Sequence, residues 1–314
     1  MDCYPVLIHA TRGRSEEDMT LAQVNKFNHC IAYVPDADGE GRGMFLDGTA
    51  QYHSMDCVPG MDRGAKVLLV KPEGAEVVQI PWNTPEQCLF GQEFDVALLP
   101  DGSADLSGKV VFTGDLSVQI RNAFSVEGKR DLVLQGILGP SFGKNTVQEK
   151  TFPDLKDITD PSVEVGLKIH VDRFGEADGD RLSLPLQFVN LPVFAGLARF
   201  TSLEKREYDL VLAGPVGLRV RAVIRVPEGW KVAKLPDERN LETPFAKFRV
   251  SAKADGGTVV FEREAMLTAN RVSRDRYADF RDLVAKVNAS ITEKIVLERA
   301  APAVPDAPPG GDGK

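Results

Sequence analysis

Residues 93–115, EFDVALLPDGSADLSGKVVFTGD, constrain the fold most tightly, because they read as two strands folded back on each other. Apolar and polar residues alternate on either side, and PDGSAD supplies the proline, aspartates and glycine of a reversing loop. Strand side chains point to opposite faces in turn, so each half offers one face to a core and one to water. Similar short runs recur at 163–171, 207–213, 217–226, 245–252 and 257–265, with a last one in EKIVLE (293–298). Their spacing is that of an antiparallel β-sandwich. Two stretches have helical spacing instead. One is KRDLVLQGILG at 129–139. The other is 274–290, where Tyr277, Phe280, Leu283, Val284 and Val287 fall on one face behind Ser273 as a cap. The expected class is mainly β, with one or two packed helices and no fixed-period repeat.

The first eighty residues form a block of their own. CYPVLIHA (3–10), FNHCIAYVP (27–35), MFLDGT (44–49), AKVLLV (65–70) and AEVVQIPW (75–82) read as strands of a small antiparallel sheet, and 11–26 as a polar loop with a short helical turn. Across 314 residues, 38 basic and 46 acidic side chains leave a net charge of −8. That argues against a nucleic-acid binder, which needs a basic face to neutralise phosphates. No apolar run approaches the ~20 residues of a membrane span. Met1 is followed by an acidic residue and an apolar stretch too short for a signal peptide, which taken literally leaves the chain in the cytoplasm. Four cysteines show no C-x-x-C spacing and read as reduced thiols. His29, Cys30, His53 and Cys57 do not close a zinc pattern, so no metal or cofactor is expected.

His29 and Asp47 are the candidate catalytic residues. If 27–35 and 44–49 pair, facing residue numbers sum to a constant. A sum of 76 places His29 opposite Asp47. A sum of 78 places it opposite Thr49, with Asp47 diagonal on the same face. Either even register brings carboxylate and imidazole together, and an odd one separates them. Such a carboxylate fixes the tautomer and stabilises the imidazolium, leaving the other ring nitrogen for a nucleophile.

YPVLI, FNHCIAYVP and MFLDGTAQY together resemble the second half of the core of bacterial transglutaminase-like proteins, in the papain-like cysteine hydrolase and acyltransferase superfamily. There one strand carries F-N-H and the next L-D-P-T, followed by a segment ending in tyrosine; here Gly48 stands for the proline. LPDGSAD, PEGWKVAKLP and RDRYADFRDLVAKVN further resemble the β-rich C-terminal domain of unknown function that follows this core in one subfamily. The resemblance implies His29 and Asp47 as two members of a Cys-His-Asp triad. It puts the cysteine at a helix N-terminus upstream of YPVLI, a position that lowers a thiol pKa. Cys3, Cys30 and Cys57 do not match that position, so the nucleophile is expected to be absent and the chain not to catalyse alone. The expected organisation is 1–82 a partial transglutaminase-like core, 83–300 a β-sandwich, and 301–314 a disordered tail. The resemblance also implies a protein or peptide as substrate or partner, an intact protein that is periplasmic or surface-associated, and self-association through a sheet face left uncovered. A non-catalytic interaction module is the alternative.

Three other motifs carry no function at this stage. GILGPSFGKN lacks a phosphate loop's first glycine, having Leu138, and its Ser or Thr, having Asn145. Trp230 reads as a packing residue at a turn, and His170 as structural.

Overall fold

The computed structural model describes residues 2–14, 17–20, 23–55, 57–189 and 196–300. The expected tail at 301–314 lies outside them. The first sheet comprises β1 (Tyr4–Ile8), β2 (His29–Val34), β3 (Met44–Leu46), β4 (Lys66–Lys71) and β5 (Gly74–Gln79). All its pairings are antiparallel, in the order β3-β2-β1-β4-β5. Its alternating pattern puts Val6, Ile8, Ile31, Val67 and Leu69 on one face, where Val58 and Ile80 join them in a small buried cluster. Leu7, Leu68 and Val70 lie on the other face, half-buried, beside the exposed Cys30.

The chain continues through β6 (Leu89–Leu98), β7 (Ala104–Thr113), α1 (Asp115–Ala123), α2 (Arg130–Phe142), β8 (Asn145–Thr151), β9 (Ser162–Val171), β10 (Glu176–Asp178) and β11 (Arg181–Pro185). It ends with β12 (Leu210–Val211), β13 (Val216–Arg225), β14 (Trp230–Lys234), β15 (Arg239–Glu242), β16 (Ala246–Asp255), β17 (Thr258–Leu267), β18 (Arg271–Val272), α3 (Tyr277–Ile291) and β19 (Lys294–Arg299). An eight-stranded sheet runs β15-β16-β17-β13-β6-β7-β9-β8, a four-stranded one β10-β11-β19-β14, and β12 pairs with β18. The two larger sheets and helices α1, α2 and α3 contribute to one buried cluster, separate from that of the first sheet.

The fold is mainly β, as the alternation implied, with two corrections. The eight-stranded sheet is not wholly antiparallel, because β6 and β13 run parallel from Gly217 opposite Leu89 to Arg225 opposite Ala97. A parallel pair needs a long crossover, and here more than a hundred residues separate the strands, beyond the reach of any turn signal. The second correction is α1, a helix absent from the sequence reading. Gly114 starts it at φ 55°, and a Cβ there would lie 2.4 Å from the Gln87 carbonyl oxygen. Leu116, Ile120 and Phe124, four residues apart, bury its inner face.

Arg121 on α1 is 2% exposed. Its Nη1 donates to the carbonyls of Leu155 and Asp157, and its Nη2 to those of Asp160 and Ser162, at 2.6–3.2 Å. One guanidinium thereby ties the 155–162 segment to α1. GILGPSFGKN lies mostly inside α2, so it is no phosphate loop. Trp230 is buried under the Arg299 guanidinium, 5.2 Å from its ring centre, and His170 binds Asp105 across the sheet at 2.7 Å. Tyr277 anchors α3 by donating its hydroxyl to the carbonyls of Phe200 and Leu203.

Candidate functional site

His29 opens β2 and Asp47 follows the last residue of β3. The ladder pairs Ala32 with Leu46, Tyr33 with Phe45 and Val34 with Met44, so facing numbers sum to 78. This is the second of the two even registers. Asp47 therefore lies diagonal to His29, and the imidazole Nε2 is 3.1 Å from Asp47 Oδ2. The side chain of Asp47 is 5% exposed and that of His29 25%. Asp47 Oδ1 accepts the Thr49 backbone N–H at 2.9 Å and its hydroxyl at 2.8 Å. Burial alone would raise the Asp47 carboxyl. The two Thr49 donors and His29 outweigh that and hold it below its ordinary value. With Nε2 engaged, Nδ1 is the nitrogen left for a reacting group.

Asp62 is the member of this neighbourhood that pattern reading missed. It is fully buried, and neither carboxylate oxygen has a hydrogen-bond partner among the described residues. Burial pushes its carboxyl up to about 6, and the negative charge of Asp47 adds to the rise against the counteracting charges of His29, Arg14 and His53. Arg14 fixes the loop around it, donating Nη2 to the Met61 carbonyl at 2.6 Å and Nε to the Arg63 carbonyl at 3.3 Å. No spacing rule singles out one aspartate in PGMDRG. Only the fold shows that it faces inward.

The segment from Asp47 to this loop passes Tyr52, whose φ of 65° makes it the one non-glycine residue with a positive φ among those described. His53 follows, with Nε2 3.6 Å from Asp115 Oδ1, and that same oxygen accepts the Gly60 N–H at 3.1 Å. Asp115 is the first residue of α1, so these contacts join the loop after the His–Asp hairpin to the start of that helix.

The cysteines are dispersed. Cys30 is exposed on the face opposite His29, Cys3 is exposed before β1, and Cys57 is half-buried, its Sγ donating to the Val58 carbonyl. Burial pushes the Cys88 thiol up to about 12. Among the described residues no cluster of three or more His, Cys, Asp or Glu side chains could hold a metal ion. No helix among them is long and apolar enough to cross a membrane.

The comparisons add a fold and a partial family match. A family model described as a domain of unknown function with a solved structure, DUF3858, matches residues 186–297. No curated protein matches the chain. Among solved structures, one from Parabacteroides distasonis described as a "putative protease" is similar over 94% of this chain, with a TM-score of 0.51 and 11% identity. At that identity the likeness is one of fold. The chain spans 40% of that protein's length.

Proposed function

We propose that His29 and Asp47 are the base and the orienting acid of a cysteine acyl-transfer site of transglutaminase-like or peptidase type, in a chain that by itself lacks the nucleophile. The observation that carries this is the 3.1 Å contact between His29 Nε2 and an Asp47 carboxylate already fixed by Thr49. In such a site a thiol gives its proton to His29 Nδ1, and the thiolate attacks a carboxamide or peptide carbonyl. His29 returns the proton to the departing amine, and water or a second amine resolves the thioester. Asp47 holds the ring and stabilises the imidazolium. Cys30 points to the face of β2 opposite His29 and burial keeps the Cys88 thiol protonated, so neither suits that nucleophile, and the Asp62 carboxylate beside the pair, without a partner among the described residues, suits a site completed by further groups. On this reading 1–82 is the catalytic-core portion and 83–300 a following β-rich domain, with a protein or peptide as substrate or partner. The half-buried face around Leu7, Leu68 and Val70 is where copies would associate.

The test is amine incorporation into casein by the 314-residue chain, with and without iodoacetamide. The expected result is no turnover in either arm, and iodoacetamide-sensitive turnover would overturn the absence of a nucleophile. In a longer chain that supplies the thiol-bearing helix, Asp47→Asn should lower turnover by roughly 10³–10⁴-fold. An unchanged rate there would remove His29 and Asp47 from the chemistry.

A further inference from the structure

A cleft of about 260 Å³ is walled by the segment between β3 and β4, by the connection from β5 to β6 and by α1. Neither His29 nor Asp47 lines it. Met61 and Arg63 do, whereas Asp62 between them is fully buried beside that pair.

Asn83, in the β5–β6 connection, lines the cleft and is only 8% exposed. Its side-chain amide makes no hydrogen bond among the described residues, yet neither Oδ1 nor Nδ2 is sealed inside the protein. An amide so deep and still accessible opens into the cleft that its residue lines. It offers a donor and an acceptor side by side, the complement of a peptide group. Gln92 shows how this same fold treats a buried amide that is purely structural, closing it on the Val189 backbone at 2.8 and 2.9 Å.

The charges on the wall favour an anion. Arg12 is exposed and Arg63 half-buried, and neither forms an ion pair among the described residues; Arg63 only donates Nε to the Val58 carbonyl at 3.3 Å. Asp115 is the one carboxylate among the described lining residues, and its Oδ1 is taken up by the Gly60 N–H and by His53. Two guanidiniums against one engaged carboxylate leave the cleft positive, in a chain whose net charge is −8. The apolar part of the wall includes Trp82, Leu116 and Val216. The indole of Trp82 is held between Gly64 and Gly214, where a Cβ would lie 2.0 and 3.1 Å from its ring.

We propose that this cleft binds the carboxyl terminus of a peptide. Its last peptide group meets the Asn83 amide, its carboxylate lies toward Arg12 and Arg63, and an aliphatic last side chain packs on Trp82, Leu116 and Val216. The size follows from the volume. A cavity of about 150 Å³ accepts benzene, so one of about 260 Å³ takes roughly ten non-hydrogen atoms, the size of an N-acetylated amino acid. Binding here does not depend on acyl transfer at His29.

Isothermal titration calorimetry on the 314-residue chain tests this with N-acetyl-L-valine, with its primary amide, which lacks the charge, and with 3-methylbutanoate, which lacks the peptide group. N-acetylvaline should saturate one site per chain and bind at least about tenfold more tightly than either control. Asn83→Ala should abolish its advantage over 3-methylbutanoate. Should that variant fail to fold, Arg12→Gln changes an exposed side chain and should weaken N-acetylvaline by about threefold or more while leaving the amide unchanged. Absence of N-acetylvaline binding at millimolar concentration, equal binding of its amide, or unchanged affinity in a folded variant would each overturn the proposal. So would tighter binding of inorganic phosphate, which would mark a plain anion site.

Discussion

Replacing Asp62 by asparagine removes the one buried carboxylate near the His29–Asp47 pair that has no hydrogen-bond partner among the described residues. An unfolded chain ionises this group at its ordinary value of 3.8, whereas the folded chain holds its proton until about pH 6. Because folding raises the pKa, the folded chain binds the proton more tightly between those values. The contribution of Asp62 to stability is therefore most favourable below about 4 and is lost as pH rises through about 6. The separation of the two values corresponds to about 3 kcal/mol, the cost of ionising the group in place at neutral pH. Asparagine has nearly the same shape and no charge to bury, so Asp62→Asn should stabilise the chain by about 2–3 kcal/mol at pH 7.5. Urea denaturation of both proteins from pH 4 to pH 8 reads the difference directly. The gain should shrink toward zero between pH 6 and pH 4, since protonated Asp62 and asparagine are alike in charge. Part of the rise comes from the Asp47 charge, so in an Asp47→Asn background the gain should be smaller. A difference that stays constant across the range, or destabilisation by Asp62→Asn at pH 7.5, would refute the reasoning.

Two more outcomes are open to simple measurement. Gly108→Ala puts a Cβ 2.0 Å from the Glu93 carbonyl oxygen and 2.9 Å from the Phe94 Cα, where backbone cannot yield, so urea denaturation should show a loss of at least about 1–3 kcal/mol; Gly91→Ala in the same hairpin meets Val111 at ordinary contact distance, its Cβ at 3.6 Å and its carbonyl oxygen at 3.9 Å, and should change little. Iodoacetamide followed by peptide mapping of the native chain should modify Cys3 and Cys30 first and Cys57 more slowly, leaving Cys88 intact until denaturation, because Cys88 is buried and its thiol is pushed up to about 12.

The local part of the structure was legible from residue order. Alternation in 93–115 with PDGSAD between its halves marks the β6–β7 hairpin, because strand faces and turn geometry are set by neighbours within a few residues. In either even register the same parity rule puts His29 and Asp47 on one face, and Tyr277, Phe280, Leu283 and Val284 revealed α3 by their spacing. Choice between the registers 76 and 78 was not available locally. Both satisfy the alternation, and only the strand neighbours on each side of β2 distinguish them. Helix α1 escaped because its nine residues follow a strand without a polar cap, and its buried face has meaning only against the sheet it covers. The parallel pairing of β6 with β13 joins segments far apart in the chain, which no window of neighbouring residues encodes. Asp62 stands in unremarkable polar surroundings when read as a letter. A charge becomes informative once it is buried without a partner, and burial is a property of the packed chain: residues 29, 47 and 62 meet in one place only because β2, β3 and the loop after them close over a common core.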